Sequence, residues 1–231
     1  DPNPKLAAMA PPMVLLDREI EFRPDPDLRG FWGDRGPQTR DAMTMSDQVM
    51  EYLRTFKAHA VVVASPPELS SLHMLVPTEY VGLPPQLQDM HSASISSADK
   101  NLVALYAGGY RPGSSLRGGY LIYDAINDSL SVIPRLPDDD DDLHGVMGHQ
   151  SAVVMCDAQG EGYLLAELIK KGGGLAGVWL WKSSAPESGW AFQPTRLHLP
   201  SAFCSHLCFS YRGSTLCWVD LLGGMVVCDL G

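Results

Sequence analysis

Thr215-Leu216-Cys217-Trp218-Val219-Asp220-Leu221-Leu222-Gly223-Gly224-Met225-Val226-Val227-Cys228-Asp229 reads as two short strands joined by a tight turn. Thr, Trp and Val favour the pleated sheet, and Gly223-Gly224 supplies the turn. Trp218 lies in phase with Leu216, so both side chains leave one face of the strand. That spacing predicts a Trp packed between two sheets, its indole N–H seeking a carbonyl. Asp220 stands where a turn carboxylate accepts backbone amides, and Asp124 and Asp229 follow their own strands in the same way.

The pattern occurs nearly three times. Leu102-Val103-Ala104-Leu105-Tyr106 is followed by Gly119-Tyr120-Leu121-Ile122-Tyr123-Asp124 and stops at Arg135-Leu136-Pro137. Tyr163-Leu164-Leu165-Ala166-Glu167-Leu168 is followed by Gly177-Val178-Trp179-Leu180-Trp181 and stops at His198-Leu199-Pro200. Leu102, Leu164 and Leu216 hold comparable positions, separated by roughly 50 to 60 residues, a spacing that fits kelch-like propeller blades. The predicted fold class is therefore all-β and mainly antiparallel: a partial or irregular propeller-like stack of sheets with one N-terminal helix. Three units do not close a ring, so the expectation is a piece of a longer protein, with an open sandwich as the other arrangement.

Residues 1–90 read as an N-terminal extension of short strands and one helix, over about 46–58. Ser46 is the predicted cap, with Asp47 in the first turn and Val49, Leu53 and Phe56 on one apolar face. Met13–Asp17, Glu19–Phe22, Ala60–Ala64 and Leu72–Val76 read as short strands, and Trp32 as a packing anchor in a loop. Residues 91–231 carry the repeated units, continuous with the first part as one domain.

The chain of 231 residues has a formal net charge of −10, which argues against nucleic acid or an anionic membrane as the main partner. Much of that charge sits in Asp138–Asp142, read as a solvated loop because it lacks the spacing of a calcium-binding loop. Five cysteines without a dense framework fit a reducing compartment. No charged-then-apolar leader and no membrane-length apolar run is present, so the expected location is intracellular, cytoplasmic or nuclear.

Each candidate for chemistry has a simpler structural reading. Cys204, His206 and Cys208 recur every second residue, with Cys217 a possible fourth zinc ligand. An extended strand spreads such a set over ~13 Å, too far to converge on one ion, so buried structural thiols are expected. His144 and His149 flank the acidic run without a defined ligand spacing. In Lys170-Lys171-Gly172-Gly173-Gly174 the lysines precede the glycines, which makes a hairpin tip and not a phosphate loop. Arg111–Arg117 reads as a solvated hairpin loop. No Gly-x-Ser-x-Gly elbow is present. No catalytic, cofactor or metal residue is assigned.

The segments Met13–Asp17, Gly119–Asp124, Leu130–Pro134, Gly162–Leu168 and above all Thr215–Asp229 resemble a grass-rich plant family known only as domain of unknown function sixteen-eighteen. The resemblance spans most of the chain and rests on its apolar strand patterns. It implies a fold like the kelch-like β-propellers that accompany F-box segments, although one helix in residues 1–60 is too few for an F-box. No catalytic residue is carried by the resemblance. The repeat architecture, combined with the lack of a coherent catalytic set, leads to the expectation of a non-catalytic protein-interaction module in a plant cell, whose partner is another protein. Two other classes stay open at this point. One is a hydrolase or small-molecule binder, which needs His198, His206 or His149 beside both a carboxylate and a hydroxyl or thiol. The other is an assembly built by strand edges pairing between chains.

Overall fold

A computed structural model of the chain describes residues 15–28, 44–62, 66, 68–77, 87, 89–108, 118–137, 145–146, 151–157 and 162–231. Among them the chain is mostly antiparallel β with one α-helix, in separate sheets of which none closes into a barrel. No described helix is long and apolar enough to cross a membrane. Trp32, Arg111–Arg117, Asp138–Asp142, His144 and His149 lie outside the described residues.

The first sheet is mixed. Strand β4 (Leu69–Pro77) pairs in parallel with β1 (Leu15–Leu16) and β2 (Glu21–Asp25), and antiparallel with β3 (Lys57–Val62). The parallel pairs were not legible from such short runs. Helix α1 (Met45–Leu53) differs from expectation at both ends. Its cap is Thr44, which accepts from the Asp47 amide at 3.1 Å while the Asp47 carboxylate accepts from the Thr44 amide at 3.2 Å. This reciprocal pair fixes the start two residues before Ser46. The helix stops at Leu53, and its last turn delivers Phe56 directly into β3.

Three meanders follow. The first is β5 (Ala93–Asp99), β6 (Leu102–Ala107), β7 (Gly119–Asp124) and β8 (Ser129–Ile133). The second is β10 (Ala152–Cys156), β11 (Tyr163–Lys170), β12 (Leu175–Lys182) and β13 (Ala191–His198), with the short β9 (Gly145–Val146) on β11. The third has only three strands, β14 (Leu207–Tyr211), β15 (Thr215–Asp220) and β16 (Gly224–Asp229). Lys170–Gly174 is indeed a hairpin tip, joining β11 to β12, with Gly173 and Gly174 at φ of 76° and 87°.

The sheets stack, and side chains fill each gap. Val49, Leu53 and Phe56 of α1 and Leu72 and Met74 of β4 pack on Leu105 and Leu121 of the first meander. The opposite face of that meander, through Tyr106, Tyr120 and Ile122, meets Val154, Leu165, Trp179 and Trp190 of the second. The second meander's far face, through Val153, Leu168 and Val178, meets Leu216, Trp218 and Val226 of the third. A sheet covered on both faces has little use for alternation, which explains the unbroken apolar runs of β6 and β10 and the largely apolar β7 and β11, where Glu167 is the buried exception.

Leu102, Leu164 and Leu216 do hold the same place, on the second strand of each meander. They do not share a direction. Leu102 and Leu164 point toward the following sheet, whereas Leu216 points back into the gap before its own. A shift of one residue exchanges the two faces of a strand, and the third unit is offset in that way.

The first strands β5, β10 and β14 meet along one seam. A bulge in β5 places an extra residue between Ile95 and Ser97, so that Ser96 and Ser97 both turn toward β10. The Ala152 amide donates to Ser96 Oγ at 3.0 Å, Val154 to Ser97 Oγ at 2.8 Å, and Cys156 to Asp99 Oδ2 at 2.8 Å. Alternate amides of a buried strand edge thus find side-chain acceptors, and no free edge remains there.

Candidate functional site

Strands β14, β15 and β16 form a lattice whose rows are fixed by register. Leu207 sits beside Val219 and Met225, Phe209 beside Cys217 and Val227, and Tyr211 beside Thr215 and Asp229. These residues share the face turned away from the second meander, since Cys208, Leu216, Trp218 and Val226 occupy the face turned toward it. The outer face is therefore apolar over most of its area, and among the described residues no sheet lies upon it. Phe209 is 36% exposed, Tyr211 50%, Val227 52% and Met225 57%. The turn beside it adds Leu221 and Leu222, the latter 95% exposed.

The face is held firmly from below. Trp218 is fully buried, and its indole N–H donates to the Ser151 carbonyl at 2.6 Å, as the sequence predicted. Asp220 Oδ1 accepts the amides of Leu222 and Gly223 at 2.9 and 3.0 Å, and Oδ2 accepts that of Cys204 at 3.0 Å. These amides hold the Asp220 carboxyl below the usual carboxylate range. Asp124 accepts from Ile126 and Asn127, and Asp229 from Gly231, so all three strand-end carboxylates fasten turns. At the corner beside β14, Arg212 has φ of 53° and its guanidinium lies over the Tyr211 ring at 5.1 Å. Asp229 is exposed on the same face at the far end of that row.

The proposed metal ligands do not converge. Cys208 points inward, its thiol 3.4 Å from the Ala152 carbonyl and 3.6 Å from that of Ser96. Burial pushes that thiol up to about 12. Cys217 faces the opposite side of the sheet, since it pairs with Phe209 while Cys208 pairs with Trp218. His206 stands outside, its Nδ1 accepting from the Leu221 amide at 3.3 Å. Among the described residues no group of three potential ligands is close enough for a metal ion, and all five cysteines are free.

Nor do the histidines form a hydrolase arrangement among the described residues. His206 Nδ1 lies 3.5 Å from Asp220 Oδ1, but both groups are engaged with turn amides. His198 is exposed at the end of β13. Two other histidines, unremarked in the sequence, prove to be anchors. His73 Nε2 is 3.1 Å from Glu21, and His91 Nε2 is 2.6 Å from the Tyr52 hydroxyl within a cluster of Phe22 and Phe56.

The most perturbed acid is Glu167, 1% exposed between the first and second meanders. Burial raises it to about 8, against hydrogen bonds from Ser151 and Tyr120, the latter donating at 2.9 Å. Tyr106 and Tyr120 stack edge-on at 5.4 Å, and Trp190 lies 5.6 Å from Tyr120. Burial thus biases the enclosed carboxyl toward its neutral form. It has a ring of aromatic neighbours and lies between two sheets. A lone acidic residue would have signalled nothing of this; only its phase with Leu165 and Ile169 placed it inward.

No protein-family model matches the chain, and no curated protein matches it.

Proposed function

We propose that this chain is a non-catalytic protein-interaction module whose binding surface is the outer face of β14–β16. The observation that carries the reading is the contrast within one sheet. One face is buried on Trp218, and the other presents Phe209, Tyr211, Met225 and Val227 to solvent. Rigid sheet scaffolds with exposed apolar patches suit recognition, and the net charge of −10 disfavours nucleic acid as the partner. The plant-family resemblance points the same way. Five free cysteines support an intracellular setting.

The test uses immobilised protein and a Val227→Glu variant as baits in plant extract. The expected result is a set of captured proteins that is lost with the variant while its folding is unchanged. Equal capture by both baits, or none above background with either, contradicts the reading.

A further inference from the structure

We propose that the outer face of β14–β16 binds a second copy of this chain, face to face about a two-fold axis running along β15; this rests on the reading of that face as an interaction surface. An isologous interface requires a patch that is complementary to itself. A two-fold rotation about the central strand leaves β15 over its own copy and exchanges the outer strands, so that β14 of one copy lies over β16 of the other. Register then decides what meets what. Phe209 and Val227 share a row on either side of Cys217, so each Phe209 comes over the partner's Val227. Leu207 and Met225 flank Val219 and meet in the same way.

The polar corner obeys the same operation. Arg212 is folded over Tyr211 at 5.1 Å, on the β14 side, and Asp229 ends the same row on the β16 side. Within one chain the two strands are separated by β15, so these corners stand roughly 10 Å apart. After the rotation each Arg212 faces the partner's Asp229, giving two symmetric ion pairs at one rim of an apolar centre. The alternative rotation, about an axis across the strands, sets the polar Tyr211 row against the apolar Leu207 row and leaves both charges unmatched.

The existing stack supplies the packing mode. The second meander already covers the inner face of the third through side chains interdigitating between two antiparallel sheets. A second copy repeats that contact on the outer face. The face measures roughly 14 by 17 Å from strand spacing and rise. Two such faces together cover roughly 480 Å² in plan, well below the about 1,200 Å² at which standard specific interfaces begin. The association is accordingly weak, and reversible at micromolar to millimolar concentration.

Sedimentation equilibrium over that concentration range tests it. The weight-average mass is expected to rise from 25.1 kDa toward twice that value. Phe209→Glu is expected to hold the chain at the monomer mass with an unchanged unfolding midpoint. Arg212→Glu and Asp229→Arg are each expected to weaken dimerisation about tenfold, because every substitution acts at two symmetry-related pairs. The double variant Arg212→Glu/Asp229→Arg restores the pairs in reversed polarity and is expected to return the dissociation constant to near the parent value. A monomer at all concentrations overturns the inference, and so does a double variant no better than either single one. A monomeric chain that still loses its captured proteins on Val227→Glu overturns the self-association alone and leaves the interaction face standing.

Discussion

The second and third meanders are built from similar hairpins and differ most in how they are covered. The second is covered on both faces, by the first meander on one side and the third on the other. Its strands β10 and β11 are buried almost throughout, and apolar residues run without alternation. Among the described residues the third is covered on one face only, and burial alternates along β14. Burial, rather than an alternation of residue types, separates the sheet with one described neighbour from the sheet with two.

The largest expected contrast lies across β15. Trp218→Ala removes a fully buried side chain and its bond to the Ser151 carbonyl, and is expected to cost about 3–5 kcal/mol in denaturant unfolding. Phe209→Ala, on the outer face of the adjacent strand, is expected to cost less than about 1 kcal/mol. Similar losses at both positions break the comparison.

The doubly covered gap also has a pH signature. The folded-state pKa of Glu167 is raised to about 8 by burial, above its unfolded value. Its contribution is therefore fully present below the unfolded carboxylate range near pH 4 and is lost as pH rises through about 8. One proton gives a slope of about 1.4 kcal/mol per pH unit over that window. Glu167→Gln is expected to flatten the profile, and a variant with the parent's slope removes Glu167 from the account.

Smaller effects sharpen the seam. Ser97→Ala leaves the buried Val154 amide without its acceptor, and is expected to cost about 1–3 kcal/mol. Ser210→Ala in β14, where no such edge is served, is expected to stay within about 0.5 kcal/mol.

Much of this was readable in the residues, for reasons that can be located. The three meanders and their turns announced themselves because Gly-rich turns and Asp caps punctuate β-branched runs. Trp218 was placed correctly because Leu216 fixed its phase. The bulge at Ser96 was hidden, since two adjacent serines have no pattern that says both turn the same way. The cap was read as Ser46, whereas Thr44 holds it: both residue types cap well, and the reciprocal bond with Asp47 selects Thr44. The parallel pairs of β4 depend on strands too short to carry a period. The outer face of β14–β16 was not read from the sequence, because whether a face is covered depends on what stands opposite, which no local pattern encodes.

The most direct test of the account places one charge on each kind of face. Unfolding midpoints are measured for Val178→Glu, inside the gap between the second and third meanders, and for Val227→Glu, on the outer face. The account predicts collapse of stability for the first and a change within about 0.5 kcal/mol for the second. A Val227→Glu variant that unfolds as readily as Val178→Glu would show that the outer face is part of the core and contradict the account.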